Sequence, residues 1–368
     1  MEWIKQETIN RKRGMAMSTA AALRTAESVL GDERIISADS HVMEPTDLWE
    51  KNLPPGLKEK YPKFPARNSP GEKPGGWNPR ARIDEMEIDG VSAEVLYPTL
   101  GLRLFALEDA ELQEACFRIA NDWLIEYCKA VPGRLVGIPM ISLYNIKNGI
   151  QELERCKREG LVGCLIWQVP PEHLPFTSDY YDPFWEAAQE MNMPVNLHIL
   201  TGFNYSRFER TGLDTYRTAV NTKLTDAANS LFDMVFGGVL ARFPRLKLVY
   251  VENEVAWLPF FVHEWDKYYK RFRTKMPLPF MEKLPGEYVT AQVYATFFSD
   301  PTGGWLMDHF GQDNFMWSND YPHAASTWPH SRKVIAEELG HLPKDVLRKI
   351  VRENVINLYN LKIDGVNN

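Results

Sequence analysis

The sequence predicts a single α/β domain of the (β/α)8 TIM-barrel class. From residue 34 onward, eight short β-branched or apolar runs alternate with longer segments of helical periodicity, as expected for βαβ units with a parallel sheet. Polar residues stand at the carboxyl ends of several runs, where barrels of this class place their sites. An open doubly wound sheet is the alternative architecture, but its GxGxxG fingerprint is missing after the first run.

The elements follow in chain order. We interpret residues 1–33 as an N-terminal extension and residues 34–368 as the barrel domain. The Ala-rich stretch 15–30 predicts a short helix, with an amphipathic organelle-targeting segment as the alternative. Strands are expected at residues 35–41, 92–98, 135–143, 162–169, 195–199, 246–252, 289–296 and 315–319. Helices are expected at 109–131, 146–160, 182–191, 225–243, 257–273 and 343–361. Segment 52–78, rich in Pro, Gly and Lys, predicts a long loop after strand one.

Composition narrows the function classes. The 368 residues are 44% hydrophobic and 25% charged with a formal net charge of −7, which argues against binding to nucleic acid or an anionic membrane surface. No apolar run reaches the roughly 20 residues that span a bilayer. The four cysteines, Cys116, Cys128, Cys156 and Cys164, show no CxxC spacing. A reduced, cytoplasmic protein acting on a small molecule is therefore expected.

The first run ends in a candidate ligand pair. Side chains alternate along a strand, so Asp39 and His41 point to the same side, into the barrel. The alternative is that this segment starts a turn, with Asp39 capping the next element and His41 hydrogen-bonded.

Two further runs end in residues of the same kind. His198 closes the fifth run and Asp320 follows the eighth, with Pro322 ending that strand. A lone histidine on an apolar strand is more often a hydrogen-bonded core residue, but here three strand ends supply partners. Two imidazoles and two carboxylates suit one zinc, manganese or iron(II) ion with a position left for water or substrate.

Three segments carry a resemblance to a known family. ISADSH, VNLH and SNDYPH resemble the metal-binding segments of amidohydrolase-related enzymes, and the branch most similar is that of aminocarboxymuconate-semialdehyde and hydroxybenzoate decarboxylases. The resemblance runs from about residue 35 to the C-terminus. It implies a (β/α)8 barrel, a homodimer and one metal ion on Asp39, His41, His198 and Asp320. The first ligand is usually His or Glu in this family, so Asp39 is a departure.

The fourth run bears on the number of metal ions. Binuclear members of the family bridge two metals with a modified lysine at the end of this strand. Here the run contains CLIWQV, which has no lysine. One metal ion per chain is therefore expected.

The sixth run ends at Glu252, where related decarboxylases often have a histidine. A carboxyl group there could still give or take a proton beside a metal ion. The alternative is that Glu252 pairs with an arginine or caps the following helix. Asp320 and His323, in the loop after the eighth run, are the other candidates for proton transfer.

Substrate contacts are less well defined by sequence. Arg82, or Arg80 beside it, could hold a substrate carboxylate, although a solvated arginine is the alternative. Aromatic rings after the strands suit an aromatic or unsaturated substrate, although core packing explains such residues equally well. These rings belong to Trp167, His173, Phe297, Phe298 and Trp328.

Three functions fit these residues. The resemblance favours metal-assisted, non-oxidative decarboxylation of an aromatic or unsaturated carboxylic acid. The same ligands suit a hydrolase or hydratase that activates water, and the missing histidine at position 252 adds weight to that alternative. A binding protein with a purely structural metal is disfavoured, because structural sites are commonly closed and rich in cysteine.

Overall fold

The described part of the chain contains eight parallel strands, as the sequence predicts. The computed structural model describes residues 25–65, 73–203, 212, 216–217 and 221–363. The strands are β1 (Ile35–His41), β2 (Val91–Tyr97), β3 (Leu135–Gly137), β4 (Cys164–Ile166), β5 (Val195–His198), β6 (Leu248–Val251), β7 (Val293–Phe297) and β8 (Phe315–Trp317). Their residues are almost all buried, as expected when helices cover one face and the barrel interior the other.

Two ladders make up the barrel. Strands β1, β2 and β3 form one, and β4 to β8 form the other, with each strand pairing in parallel with its neighbour. Between the ladders, the Ile141 N–H donates to the Leu165 carbonyl over 2.9 Å. On the opposite side the Asp320 N–H donates to the Asp39 carbonyl over 3.1 Å, and the chain beyond β8 thereby joins β1. The sheet is therefore closed, which confirms the TIM-barrel prediction.

The helices lie between the strands. The α-helices are Ala26–Leu30, Leu48–Asn52, Pro55–Lys58, Pro79–Asp89, Ala110–Lys129, Ile146–Arg158, Asp182–Glu190, Lys223–Phe236, Val239–Arg242, Trp257–Phe272, Pro285–Gln292, Pro301–Leu306, Ser331–Leu339, Lys344–Arg348 and Asn354–Tyr359. Short 3-10 helices occupy Pro74–Gly76, Gly101–Ala106 and Asp179–Tyr181.

Helix Pro79–Asp89 shows how the sequence sets such boundaries. The Asn78 side chain accepts hydrogen bonds from two backbone N–H groups of the first turn, and Pro79 occupies the first helical position. Gly90 ends the helix in the left-handed conformation, with φ +71°. The chain then enters β2 directly. Arg80 and Arg82 therefore lie within this helix.

Several predicted boundaries were wrong. The expected strand 289–296 begins only at Val293, because Pro285–Gln292 is a helix with proline in its first turn. The expected helix 225–243 divides at Gly238, whose φ of +78° interrupts it. The final helix 343–361 contains a π-helical turn, Lys349–Glu353. The loop expected at 52–78 contains helix Pro55–Lys58.

Part of the expected N-terminal extension can be described. Helix Ala26–Leu30 is capped at its N-terminus by Thr25, whose side chain accepts a hydrogen bond from the Ser28 N–H. Arg332 donates to the carbonyl oxygens of Glu33 and Gly31 and so ties this segment to the barrel. Residues 1–24, including most of the helix predicted at 15–30, lie outside the described residues.

Two observations concern membrane-spanning helices and disulfide bonds. Within the described parts of the chain, no helix combines the length and apolarity that a bilayer crossing requires. The four cysteines, all of them described, form no disulfide.

Candidate metal centre and active site

Four strands bring the candidate ligands to one end of the barrel. Asp39 and His41 lie at the end of β1, and His198 is the last residue of β5. Glu252 follows β6 directly, and Asp320 lies three residues beyond β8. Because the strands are parallel, their carboxyl ends meet at the same mouth. The nitrogen and oxygen atoms of these five side chains therefore lie close to one another. The distances between them determine whether they could bind a metal ion together.

The Nε2 atoms of His41 and His198 face each other. His41 Nδ1 lies 2.9 Å from the Pro98 carbonyl oxygen, and His198 Nδ1 lies 2.7 Å from that of Ile199. A carbonyl can only accept, so each neutral ring carries its proton on Nδ1 and a lone pair on Nε2. The two Nε2 atoms are 3.2 Å apart. Two lone pairs at this distance repel each other unless a cation or a proton lies between them.

Burial keeps both rings neutral. It lowers the pKa of His41 well below its usual value, and the proximity of the His323 and His198 rings, which disfavours a further proton, lowers it more. Burial also lowers the pKa of His198 to about 3. Neutral imidazole is the form that binds metal ions.

Asp39 lies against both imidazoles. Its Oδ1 atom is 3.5 Å from His41 Nε2 and 3.8 Å from His198 Nε2. The side chain is fully buried, and no donor among the described residues meets either carboxylate oxygen at normal hydrogen-bond geometry, although the Thr296 side chain lies nearby. Burial, followed by the negative charges of Asp320 and Glu254, raises the pKa of Asp39 well above its usual value. Because a buried carboxylate needs a compensating charge, this arrangement suits a ligand of a cation.

Two further carboxylates complete the cluster. Glu252 Oε2 lies 3.5 Å from His198 Nε2 and 3.9 Å from His41 Nε2. Asp320 Oδ1 lies 3.6 Å from His41 Nε2. Metal–ligand bonds of 2.0–2.2 Å place neighbouring donor atoms roughly 2.8–3.6 Å apart. Four of the six separations, 3.2–3.6 Å, fall in this range, and the other two, 3.8 and 3.9 Å, exceed it slightly, so the donors could close around one divalent ion with a small shift.

The donors fall into two overlapping groups. In each, one ligand atom per residue lies within 4.8 Å of all the others. The first group is Asp39, His41, His198 and Glu252, and the second is His41, Glu252, Asp320 and His323. Because His41 and Glu252 belong to both groups, a single ion near them could draw on either. Nitrogen and oxygen donors without cysteine suit zinc, manganese or iron(II).

Glu252 sits on strained backbone at the edge of the cluster. Its φ is +59°, in the left-handed region that a non-glycine residue rarely adopts. The Glu252 N–H donates to Thr296 Oγ1 over 2.9 Å. Its side chain is 16% exposed, whereas Asp39, His41 and His198 are fully buried. Burial, then the charges of Asp320 and Asp39, raises the pKa of Glu252 well above its usual value.

Glu254, two residues further on, was not singled out by sequence reasoning. It also has a positive φ, +55°. Burial raises its pKa to about 8, and one of its oxygens accepts no hydrogen bond from any residue that the structure describes. The only signal in the sequence that could have pointed to Glu254 is that it is a second glutamate close to Glu252, in the segment Glu-Asn-Glu.

His323 extends the cluster toward solvent. Its Nδ1 lies 2.8 Å from Asp320 Oδ1 and its Nε2 lies 3.2 Å from Thr99 Oγ1. The ring packs against that of His41, tilted by 33°, with centroids 4.1 Å apart. With 26% of its side chain exposed, His323 connects a buried carboxylate with the mouth.

The predicted substrate contacts divide into two groups. Trp167, directly after β4, and Phe297, the last residue of β7, are fully buried at strand ends. The Trp167 ring contacts those of Tyr144 and Phe203, at centroid distances of 5.2 and 6.3 Å. The Trp167 indole N–H has no acceptor among the described residues.

Arg82 and His173 lie elsewhere. The Arg82 guanidinium is buried and donates to the Glu94 carboxylate and, over 2.7 Å, to the His41 carbonyl oxygen. The structure thus places Arg82 in an internal ion pair that supports β1, not on an exposed surface. His173 is exposed in a turn between β4 and the next helix. Neither residue belongs to the ligand cluster.

A buried polar network beside the ligands was missed by sequence reasoning. The Asn319 side chain lies between β1 and β2, with its Oδ1 2.7 Å from Ser40 Oγ and its Nδ2 3.2 Å from Glu94 Oε1. Glu94 also accepts from Arg82. These partners are separated by up to 279 residues, so no local pattern could have identified them.

Comparisons with known proteins agree with this geometry. The amidohydrolase family model matches residues 39–361. Gamma-resorcylate decarboxylase of Polaromonas sp. is 24% identical over 226 residues, which cover 59% of this chain and 69% of that protein. A 2-keto-4-carboxy-3-hexenedioate hydratase of Sphingobium sp. is 25% identical over 178 residues, covering 46% of this chain and 48% of that protein.

Solved structures show the same barrel. A 5-carboxyvanillate decarboxylase of Novosphingobium aromaticivorans, complexed with manganese and 4-hydroxy-3-methoxy-5-nitrobenzoic acid, superimposes with a TM-score of 0.70 at 18% identity. The match covers 92% of this chain and 99% of that one. At this identity the likeness establishes the fold, and the family model extends over nearly the whole described barrel. The chain therefore belongs to the amidohydrolase family.

Proposed function

We propose that this protein is a metal-dependent enzyme that decarboxylates an aromatic or unsaturated carboxylic acid without oxidation. The observation that carries the proposal is the convergence of two imidazole Nε2 atoms 3.2 Å apart with the carboxylates of Asp39, Glu252 and Asp320. One divalent ion, zinc, manganese or iron(II), would be held by Asp39, His41, His198 and Asp320; Asp320 would join the other three from the second donor group, in which it lies with His41, Glu252 and His323. The decarboxylases among the relatives support this choice of reaction.

The residues have separable roles in this proposal. A bound divalent ion supplies positive charge for a substrate carboxylate and an adjacent oxygen. Glu252, the most exposed carboxyl facing the histidines, gives its proton to the carbon from which carbon dioxide leaves. Asp320 and His323, in contact through Oδ1 and Nδ1, can accept a proton from the substrate. Trp167 and Phe297 would provide apolar walls for an aromatic or unsaturated substrate.

Hydration of an unsaturated acid is the second candidate, and the hydratase relative favours it specifically. In that reaction Glu252 or Asp320 would remove a proton from water, and the substrate would keep its carboxylate. Hydrolysis of an ester, lactone or amide would use the same residues. The protein's own product distinguishes these reactions.

Product analysis tests the proposal. Metal-reconstituted protein should be incubated with hydroxylated benzoates, unsaturated carboxylic acids, esters and lactones. Release of carbon dioxide with solvent deuterium on the former carboxyl carbon supports decarboxylation. Oxygen-18 from water in the product, without carbon dioxide, would contradict decarboxylation and favour hydration or hydrolysis.

Metal analysis tests the centre itself. The purified protein should hold about one zinc, manganese or iron per chain, and His198→Ala or Asp320→Ala should remove most of it. His173→Ala is the matched control, because that histidine is exposed and outside the cluster. Two fully occupied metal sites per chain would contradict a mononuclear centre.

We also propose that the protein is a cytoplasmic homodimer. Helix Trp257–Phe272 leaves Phe260, Tyr268 and Phe272 exposed, which suits a contact between two copies. The absence of disulfides among the four described cysteines fits a reducing compartment. Light scattering at micromolar concentration should give twice the mass of the chain, and cell fractionation should place the protein in the cytoplasm. A monomer would contradict the assembly.

A further inference from the structure

We propose that Asn319 is a positioning residue that sets the geometry of the metal centre, an inference that rests on the proposed centre. Asn319 lies directly before Asp320 and is only 1% exposed. Its side chain contacts neither of the histidines. Its amide instead joins the strand that carries Asp39 and His41 to the segment that carries Asp320.

Two serine hydroxyl groups of β1 lie within hydrogen-bond distance of the Asn319 amide oxygen. Asn319 Oδ1 lies 2.7 Å from Ser40 Oγ and 3.0 Å from Ser37 Oγ, and both hydroxyls are fully buried. Ser40 stands between the two ligands of β1. The Ser37 hydroxyl in turn accepts the Asn319 N–H over 2.9 Å. Movement of Asn319 would therefore displace the β1 backbone beside the ligands.

The same oxygen also fixes the backbone of Asp320. The Tyr321 N–H donates to Asn319 Oδ1 over 3.1 Å. This hydrogen bond closes a turn in which Asp320 is the central residue. Asp320 has a φ of +53°, in the left-handed region. A non-glycine residue keeps this conformation only when its surroundings hold it. The Asn319 amide is one of the groups that does so.

The amide nitrogen connects the site to β2. Asn319 Nδ2 donates to Glu94 Oε1 over 3.2 Å and lies 3.4 Å from Asp89 Oδ2. Glu94 also accepts from Arg82, which donates to the His41 carbonyl over 2.7 Å. Glu94 is thus linked to Asp320 through Asn319 and to His41 through Arg82.

No other residue type of this size can replace the amide. Asparagine accepts at one atom and donates at the other. Aspartate has the same shape but would place a second carboxylate against Glu94 and Asp89, and it offers no donor when ionised. Alanine loses both functions. We therefore expect either change to loosen the ligands relative to one another while leaving every ligand present.

The experiment compares Asn319 with a buried asparagine that has no hydrogen bond to the candidate ligands among the described residues. Asn121 is also 1% exposed; its Nδ2 donates to the Met140 carbonyl and Glu152, and its Oδ1 accepts the Met140 N–H, each over 2.9 Å. Asn121→Ala therefore removes a comparable set of hydrogen bonds from an outer helix. Zinc affinity of the wild type, Asn319→Ala, Asn319→Asp and Asn121→Ala is measured by chelator competition, together with the cobalt(II) absorption spectrum and thermal stability.

The expected result is specific to the centre. Both Asn319 variants should bind zinc about 10- to 100-fold more weakly, as for loss of other groups that orient metal ligands, and should shift the cobalt spectrum. Asn121→Ala should lose stability but keep zinc affinity within about threefold. If the Asn319 variants keep wild-type affinity and spectrum, Asn319 has only a structural role and the inference is wrong.

Two further outcomes remain informative. If neither Asn319 variant folds, Ser40→Ala removes one hydroxyl that contacts the amide oxygen, and it should weaken zinc binding in the same direction by a smaller factor. Unchanged affinity in that variant would also overturn the inference. A wild-type protein that binds neither zinc nor cobalt would instead refute the proposed centre, which distinguishes the two failures.

Discussion

The two sides of the candidate centre are built differently. On the β1–β8 side, Asp39, His41 and Asp320 are backed by the buried network of Asn319, Glu94 and Arg82. On the β6 side, Glu252 and Glu254, separated by Asn253, both have left-handed backbone, and Glu252 is held through its N–H by Thr296. Glu254 keeps an oxygen without a donor among the described residues.

This difference separates two tasks. Holding a metal ion requires ligands fixed within a few tenths of an ångström, which a dense hydrogen-bond network provides. Moving protons requires a carboxyl whose proton affinity is raised by burial and whose side chain can reach the substrate. We therefore expect substitutions on the β1–β8 side to change metal affinity and stability, and substitutions on the β6 side to change turnover and pH dependence.

The largest expected effect is the loss of metal on the β1 side. His41→Ala should weaken zinc affinity more than about 100-fold, because loss of a group that merely orients a ligand already costs roughly 10- to 100-fold. Glu252→Gln, on the β6 side, should leave affinity within about tenfold. Chelator competition measures both. Equal loss in the two variants would show that Glu252 is itself a ligand and would remove the distinction between the sides.

The second effect concerns stability on the β1–β8 side. Arg82→Leu leaves the buried Glu94 carboxylate without its cation and should lower the free energy of unfolding by about 3–5 kcal/mol. Lys51→Met breaks an exposed ion pair with Asp47 and should change it by less than about 1 kcal/mol. Urea denaturation of the metal-free proteins provides the measurement. Similar values for both variants would show that the Arg82–Glu94 pair contributes little.

The third effect belongs to the β6 side. Glu252→Gln should lower turnover by at least about a hundredfold with metal content intact, because general acid–base groups contribute roughly 10²–10⁴-fold. Glu254→Gln is the neighbouring control and should keep turnover within about tenfold. If Glu252→Gln lowers thermal stability but keeps turnover within about tenfold, Glu252 is a structural partner and His323 becomes the next candidate.

The smallest effect is a pH dependence of stability. The pKa of Glu254 is raised to about 8 in the folded protein, whereas an unfolded chain has glutamate near its ordinary value of about 4.3. The folded state therefore binds this proton more tightly, and the resulting stabilisation is complete below about pH 4 and is lost as pH rises through about 8.

The melting temperature of the metal-free protein should accordingly fall between about pH 5 and 8. Glu254→Gln should make that decline shallower, because glutamine does not titrate. Glu126→Gln changes a side chain that is 75% exposed and should leave the slope unaltered. An unchanged slope in Glu254→Gln would show that its proton does not contribute.

The sequence was most informative where chemistry follows strand geometry. The alternation of Asp39 and His41, and the positions of His198 and Asp320 at strand ends, are enough to predict a shared mouth. Boundaries were less predictable, since Val289 could extend a strand by its β-branched side chain but lies in a helix started by Pro285. There the helix-start signal of Pro285 prevailed over the β-propensity of Val289.

The supporting residues could not be predicted in the same way. Arg82 has the chemistry of a carboxylate clamp, yet the structure gives it the Glu94 carboxylate of its own chain. Asn319 lies within the SNDYPH segment, but its partners Ser37 and Ser40 are about 280 residues away. Only the fold brings such pairs together. The sequence therefore indicated the candidate ligands and left the residues that support them undetermined.

In the proposed centre, the buried Asp39 carboxyl, which has no hydrogen-bond donor at normal geometry among the described residues, would also tie the survival of the protein to metal supply. An ion that binds only the folded state stabilises it by about 2.7 kcal/mol at 100 times its dissociation constant. In a metal-starved cell this gain disappears, and the emptied protein opens more often to proteases. Its abundance would then fall along with its activity, so that the cellular lifetime of the protein would depend on the availability of its metal ion.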